Sequence, residues 1–256
     1  MRDALQSVPR KGSRSSRIAI WLAAIGAILV VAAGITAKAG LLPPLTSMGL
    51  YALASLLLLL VIIFAVIGLI RSGGTAGTAS RGATWLALVA GIAVTANNGV
   101  RLSRASHAPP IHDITTDTVN PPAFVAILPL RKLDARNPAE YAGPEVAAVQ
   151  KKAYPDLGPL TIAQPVDTVF AAARAVVADQ GWTLVDASLP DGRIEATAET
   201  PWMHFKDDVV IRIHPEGDGT RVDVRSTSRV GKGDMGVNAA RIRGFLAALK
   251  TRLAAG

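Results

Sequence analysis

The twenty residues from Ile18 to Ala37, IAIWLAAIGAILVVAAGITA, carry no charge. As a helix they extend about 30 Å, the thickness of a bilayer's hydrocarbon core. A segment of that kind reads as a membrane span, and two more follow. Met48 to Ile70 contains LLLLLVII and closes at Arg71, while Gly82 to Val100 lies between Arg81 and Arg101. Asn97 and Asn98 make the third run the least apolar, so a buried soluble helix is its alternative. Trp85 and the neighbouring spans favour the membrane. The expected organisation is a basic tail over 1–17 and a membrane region over 18–104, with spans at 18–37, 48–70 and 82–100.

Lys and Arg near spans are retained in the cytoplasm. The tail holds Arg2, Arg10, Lys11, Arg14 and Arg17; the first loop holds Lys38, the second Arg71 and Arg81, and Arg101 and Arg104 follow the third span. The tail dominates, which puts the N-terminus in the cytoplasm. Three crossings then place everything after Arg104 outside it, on the periplasmic side of a bacterial inner membrane. The basic flank, apolar run and Ala37-Lys38-Ala39 also resemble a signal peptide with its cleavage site. Cleavage there leaves the side of the C-terminal domain unchanged.

A formal charge of +8 raises nucleic acid as a partner, but residues 1–106 hold ten Lys and Arg against one acid, and residues 107–256 hold seventeen against eighteen. The basicity belongs to the membrane half, and a near-neutral second half argues against nucleic acid. The absence of cysteine excludes a disulfide scaffold, a thiolate zinc site and a cysteine nucleophile.

Pro109-Pro110 and Pro121-Pro122 stop helices and forbid central strands, so the segment after the third span reads as an extended arm. A short helix starts at Pro144 and runs to Lys152, where Tyr154-Pro155 ends it. The arm and this helix occupy 105–158, and an α+β domain occupies 159–256. A strand covers Leu160–Ala163. Val166, Val169, Phe170, Ala173, Val176 and Val177 then recur at helical spacing before a stop at Gly181. Strand-like stretches follow at 182–188, 193–200, 207–214 and 220–228, and a last helix covers about 237–253. The order β-α-β-β-β-β-α predicts an antiparallel sheet with both helices on one face. A turn centred on Gly217-Asp218 sets Ile211 opposite Val224 and Arg212 opposite Asp223, an exposed pair.

The arm PPIHDITTD, the Tyr154-Pro155-Asp156 corner, Gly181-Trp182, the Phe205-Lys206-Asp207-Asp208 strand entry and RSTSRVGKGDMGVNAARIR from Arg225 to Arg243 together resemble the bacterial and plastid domain-of-unknown-function family numbered fourteen ninety-nine, over about residues 110–249. The resemblance implies a shared domain and envelope or lumenal placement. It supplies no catalytic residues.

The densest polar stretch ends a strand, turns through glycines and opens a helix near Gly236–Asn238, where free N–H groups and the helix dipole favour an anion. Arg225, Ser226, Ser228, Arg229, Gly231, Gly236, Asn238 and Arg241 are the candidate anion site. The competing reading has Asp234 or Asn238 capping the helix and the arginines pairing with Asp207, Asp208 and Asp223. His112, Asp113 and Asp117, with His204, Asp207 and Asp208, have metal-ligand chemistry without metal-ligand spacing, so no metal or other cofactor is expected. Ser226 or Ser228 beside His112 or His204 would make a nucleophile and base, but nothing in the sequence places them together. The expected role is an extracytoplasmic domain that binds a small anionic molecule, a lipid headgroup or an envelope protein. The alternatives are a membrane-anchored hydrolase and a structural assembly component.

Overall fold

The computed structural model describes residues 13–72 and 78–255. Arg2, Arg10 and Lys11 of the basic tail, most of the loop over 72–80, and Gly256 lie outside the described residues. The chain forms two compact units, one holding residues to Ser103 together with Trp202–His204, the other Arg104–Pro201 and Phe205 onward.

The first unit contains α1 (Arg14–Lys38), α2 (Pro44–Ser72) and α3 (Thr78–His107). Each is long and apolar enough to cross a membrane, with windows of mean hydropathy 2.6, 3.2 and 1.3. Large side chains such as Ile28, Ile35, Leu56, Ile63, Leu86 and Val89 point outward, as they should where the solvent is hydrocarbon. Small residues face inward and let backbones approach: a Cβ on Gly91 would meet the Leu58 carbonyl oxygen at 2.9 Å. One of the two asparagines at the polar end of the third span is satisfied between helices. Asn98 accepts from the Tyr51 hydroxyl at 2.6 Å and donates to Ser55 Oγ at 3.0 Å, so this asparagine does not bar α3 from lipid. The chain is a membrane protein with a C-terminal domain.

That domain comprises β1 (Asp113–Thr115), α4 (Leu128–Asp134), α5 (Pro144–Ala153), β2 (Leu160–Ile162), α6 (Val166–Asp179), β3 (Thr183–Ser188), β4 (Arg193–Glu199), β5 (Lys206–Glu216), β6 (Gly219–Ser228) and α7 (Val237–Ala254). The six strands form one antiparallel sheet in the order β1-β6-β5-β4-β3, with β2 also on the outer edge of β6. Strand alternation sends Ile194, Ala196, Val209, Ile211, Val222 and Val224 to one face, where α6 brings Val169, Phe170, Val176 and Val177, and α7 brings Ile242, Phe245 and Leu249. The expected class, an antiparallel sheet with helices on one face, is the observed one.

The β5–β6 register pairs Ile211 with Val224 and Arg212 with Asp223 about a turn at Gly217, whose φ of 58° suits glycine. The pair is not exposed, however, because Asp223 is fully buried and the Arg212 side chain mostly so.

Two elements lie where only an extended arm was expected, β1 and α4. Three residues flanked by prolines carry no periodicity, and β1 exists because β6 offers an unpaired edge: Thr116 N–H donates to Val224 O at 2.9 Å and Ser228 N–H to His112 O at 3.0 Å. Helix α4 has no local cap. Glu195, in the middle of β4, accepts from the N–H groups of Val125, Ala126 and Ile127 at 2.9, 3.0 and 2.9 Å and thereby starts it. The arm then lies across the second face of the sheet, with Phe124 and Ile127 packed on Val210.

Candidate functional site

Because β6 alternates, Asp223, Arg225 and Thr227 project under the arm while Ser226 and Ser228 project toward α7. Asp208 and Asp207 separate in the same way on β5. The eight residues expected to form one anion site therefore belong to two polar clusters on opposite faces of the sheet.

Under the arm, Arg225 makes a two-pronged contact with Asp113, Nε to Oδ1 at 2.9 Å and Nη2 to Oδ2 at 2.7 Å. It also donates to the Pro122 and Ala139 carbonyls and lies 4.9 Å from the Phe124 ring centre. Arg229 grips Asp208 through Nη2 at 2.8 Å and Nε at 3.0 Å, and Asp134 through Nη1 at 2.7 Å. Asp208, fully buried, also accepts from Arg131 at 2.6 Å and from Thr197. Asp223 is held by Arg212, Arg221 and Thr116. Each fixed charge has its counter-charge, which is the condition for burying it at all.

On the helix side, Ser226 Oγ donates to Asn238 Oδ1 at 2.6 Å, and Asn238 Nδ2 donates to Ser228 Oγ at 2.9 Å and to His112 O at 3.0 Å. Arg241 donates to Asp207 Oδ2 at 2.6 Å and to Ser226 Oγ at 3.1 Å. Asp234 caps α7, accepting from the N–H groups of Gly236 and Asn238 at 2.9 and 2.6 Å. The protein's own carboxylate thus occupies the helix start, the place where an outside anion is favoured. Burial pushes the Asp234 carboxyl above its ordinary value despite those two donors. Gly231 and Gly236 supply the left-handed backbone, φ 98° and 82°, that turns the chain from β6 into α7.

The hydroxyls of Ser226 and Ser228 are engaged with Asn238, and the His112 ring lies against Lys232 O at 3.4 Å, so no serine–histidine couple of the hydrolase kind forms there. His204 sits between β4 and β5 at a positive φ of 50°. Asp113, Asp117, Asp207 and Asp208 are each bound to arginine. Among the described residues no three His, Cys, Asp or Glu side chains gather in a metal-ligating group.

Arg241 borders a recess of about 260 Å³ at the α6–β3 turn, together with Gln180, Gly181, Trp182, Thr183, Thr197, Ala198 and Glu199. Trp182 is fixed there by stacking on Phe245, ring centres 5.8 Å apart.

The network's key supports missed in the sequence are Arg131, Asp134 and Asn137 on the arm and Glu195 on β4. Glu195 had a signal. In RIEATAE the positions Arg193, Glu195, Thr197 and Glu199 form one polar face opposite Ile194, Ala196 and Ala198, and a polar face beside a proline-rich arm is one the arm can cover.

Acid tests this network. Burial raises the Asp117 carboxyl, but the N–H groups of Asn120 and Val119 and the Arg212 guanidinium outweigh it and hold it low. Arg229 and Lys206 do the same for Asp134 against burial. A carboxyl depressed by folding stabilises the fold above its unfolded pKa, and that stability is lost as pH falls through the folded value. Asp234, raised by burial, acts oppositely: it destabilises the fold at higher pH, and that loss is relieved as pH falls through its folded value. Denaturant unfolding should therefore show stability falling steeply below about pH 4, and Asp117→Asn should make that decline shallower. An unchanged slope in Asp117→Asn would remove Asp117 from the network.

Residues 113–249 match the model of a family described as a protein of unknown function, DUF1499. No curated protein matches the chain.

Proposed function

We propose a binding rather than a catalytic role for this chain, which belongs to the DUF1499 family of unknown function. In this reading the domain stands on the periplasmic side of a bacterial inner membrane, anchored by α1–α3, and holds a small polar ligand with an anionic group at the Arg241 recess. The observation that carries it is the contrast among the three arginines. Arg225 and Arg229 are buried under the arm, whereas Arg241 borders open space. Glu199 also lines it, the hydroxyls of Thr183 and Thr197 add hydrogen-bonding groups, and Trp182 supplies an aromatic surface. At 260 Å³ the recess is below the usual range of about 300–1,000 Å³ for drug-sized ligands. It suits a headgroup-sized molecule.

Binding to the folded state alone raises the melting point in proportion to ligand concentration over Kd. The test is thermal unfolding of the full chain in detergent with a panel of phosphate esters and carboxylates, beside Thr183→Trp, which fills the recess and leaves the Arg241–Asp207 contact in place. At least one ligand should stabilise the native chain by about 2–3 kcal/mol at a hundredfold excess over Kd and leave Thr183→Trp unmoved. If no member of the panel shifts the native chain, or if both shift equally, the recess is not the site.

A further inference from the structure

One end of the sheet, where β5 begins at Lys206 and β6 ends at Ser228, collects exposed apolar side chains among cations. Helix α4 ends there, since the N–H groups of Arg136 and Asn137 donate to Arg229 O at 2.8 and 3.0 Å. Leu133 is 82% exposed on α4, Met235 is 56% exposed in the β6–α7 turn, and Leu130 and Val237 are exposed beside them. Lys132, Arg136 and Lys232 are exposed on the same rim and make no ion pair among the described residues.

We propose that this rim docks on an anionic lipid surface, its apolar side chains entering the headgroup layer and its three cations meeting lipid phosphates. The connection of the chain argues for lipid as the occupant. The apolar stretch of α3 ends at Ser103 and β1 begins at Asp113, opposite Thr227 on this same rim. Four of the intervening residues continue α3 and five join it to β1, so the rim lies no more than about 30 Å along the chain from the end of the span. Charge gives the second argument. The half of the chain after His107 is near neutral overall, yet its unpaired cations at this end alternate with leucine, methionine and valine, the pattern that anchors amphipathic side chains at a bilayer surface. The proposal does not rest on the Arg241 recess and stands or falls separately from it.

The chain has no cysteine, so single labels are clean. An environment-sensitive fluorophore is placed on Leu133→Cys, Met235→Cys and, as a control at the opposite tip of the β5–β6 hairpin, Asp218→Cys. The full chain is reconstituted at one copy per nanodisc in phosphatidylcholine alone or with phosphatidylglycerol, each with spin-labelled lipid as quencher. Labels at 133 and 235 should be quenched, more strongly with phosphatidylglycerol, while 218 is not. Replacing Lys132, Arg136 and Lys232 together by glutamine should shift the docked-to-free ratio on the anionic disc by about a hundredfold, from roughly a fivefold loss per cation. Equal quenching at all three positions, quenching at 133 and 235 that ignores lipid charge, or blue-shifted but unquenched labels, the mark of a protein neighbour, would each overturn the proposal.

Discussion

Replacing Arg229 by alanine should lower the stability of the domain by about 3–5 kcal/mol, and no added anion should restore it. Arg229 lies buried between Asp208 and Asp134. Removing it leaves Asp208 with Arg131 as its counter-charge and the Thr197 hydroxyl and opens a void lined by a carboxylate. Arg229→Lys should fall between, because an ammonium keeps the charge and loses the fork that holds Nε and Nη2 on one carboxylate. The origin of the loss is separable. Burying an ion network is worth little against apolar packing, whereas breaking one strands a charge. The triple replacement Arg131→Met, Asp208→Leu, Arg229→Met should therefore recover much of what Arg229→Ala loses. Hydrogen exchange at the β5 and β6 amides of the full chain reports the stability of this unit directly. A loss below about 1 kcal/mol, the range of exposed pairs, or recovery of Arg229→Ala by phosphate, would return Arg229 to the candidate ligand site.

The difference between the expected cluster and the two observed ones shows where sequence reasoning reached. The helix-facing half of the sheet was legible because Val209, Ile211 and Ile213 alternate with polar residues and a two-residue turn fixes their partners. The same alternation rules out a site that contains both Arg225 and Ser226, since neighbours on a strand point to opposite faces. That consequence was available from the sequence. The arm was not legible, because what orders it is not local: Asp113 is fixed by Arg225, the start of α4 by Glu195, and the carbonyls of Asn137 and Pro138 by Arg131. A charge that sits in one segment and satisfies another leaves no periodicity in either. The capping of α7 lay between these cases. Asp234 stands four residues before Asn238, and a carboxylate at that spacing from a helix start reads as a cap and as an occupant of the anion position at once.

A reporter that functions only outside the cytoplasm, fused after Gly256, should be active, and a cytoplasm-only reporter at the same place should be silent. The expectation depends on an odd number of crossings and on the side of the first. For the side of the first, the tail carries five Lys and Arg before Ile18 against one, Lys38, in the following loop, an asymmetry that predicts a cytoplasmic N-terminus. The odd number depends on α3, the least apolar of the three at a mean hydropathy of 1.3. An unsatisfied amide in hydrocarbon costs several kcal/mol, enough to expel a marginal span. Asn98 does not incur that cost, because Tyr51 and Ser55 of α2 take its carbonyl and amino groups. The amide then links two spans and does not oppose insertion. Tyr51→Phe with Ser55→Ala should accordingly weaken insertion of α3 and move part of the population to the cytoplasmic reporter, while the native chain stays on one side. If the native fusion is active in the cytoplasm, α3 does not cross, and the periplasmic placement of the Arg241 recess is lost.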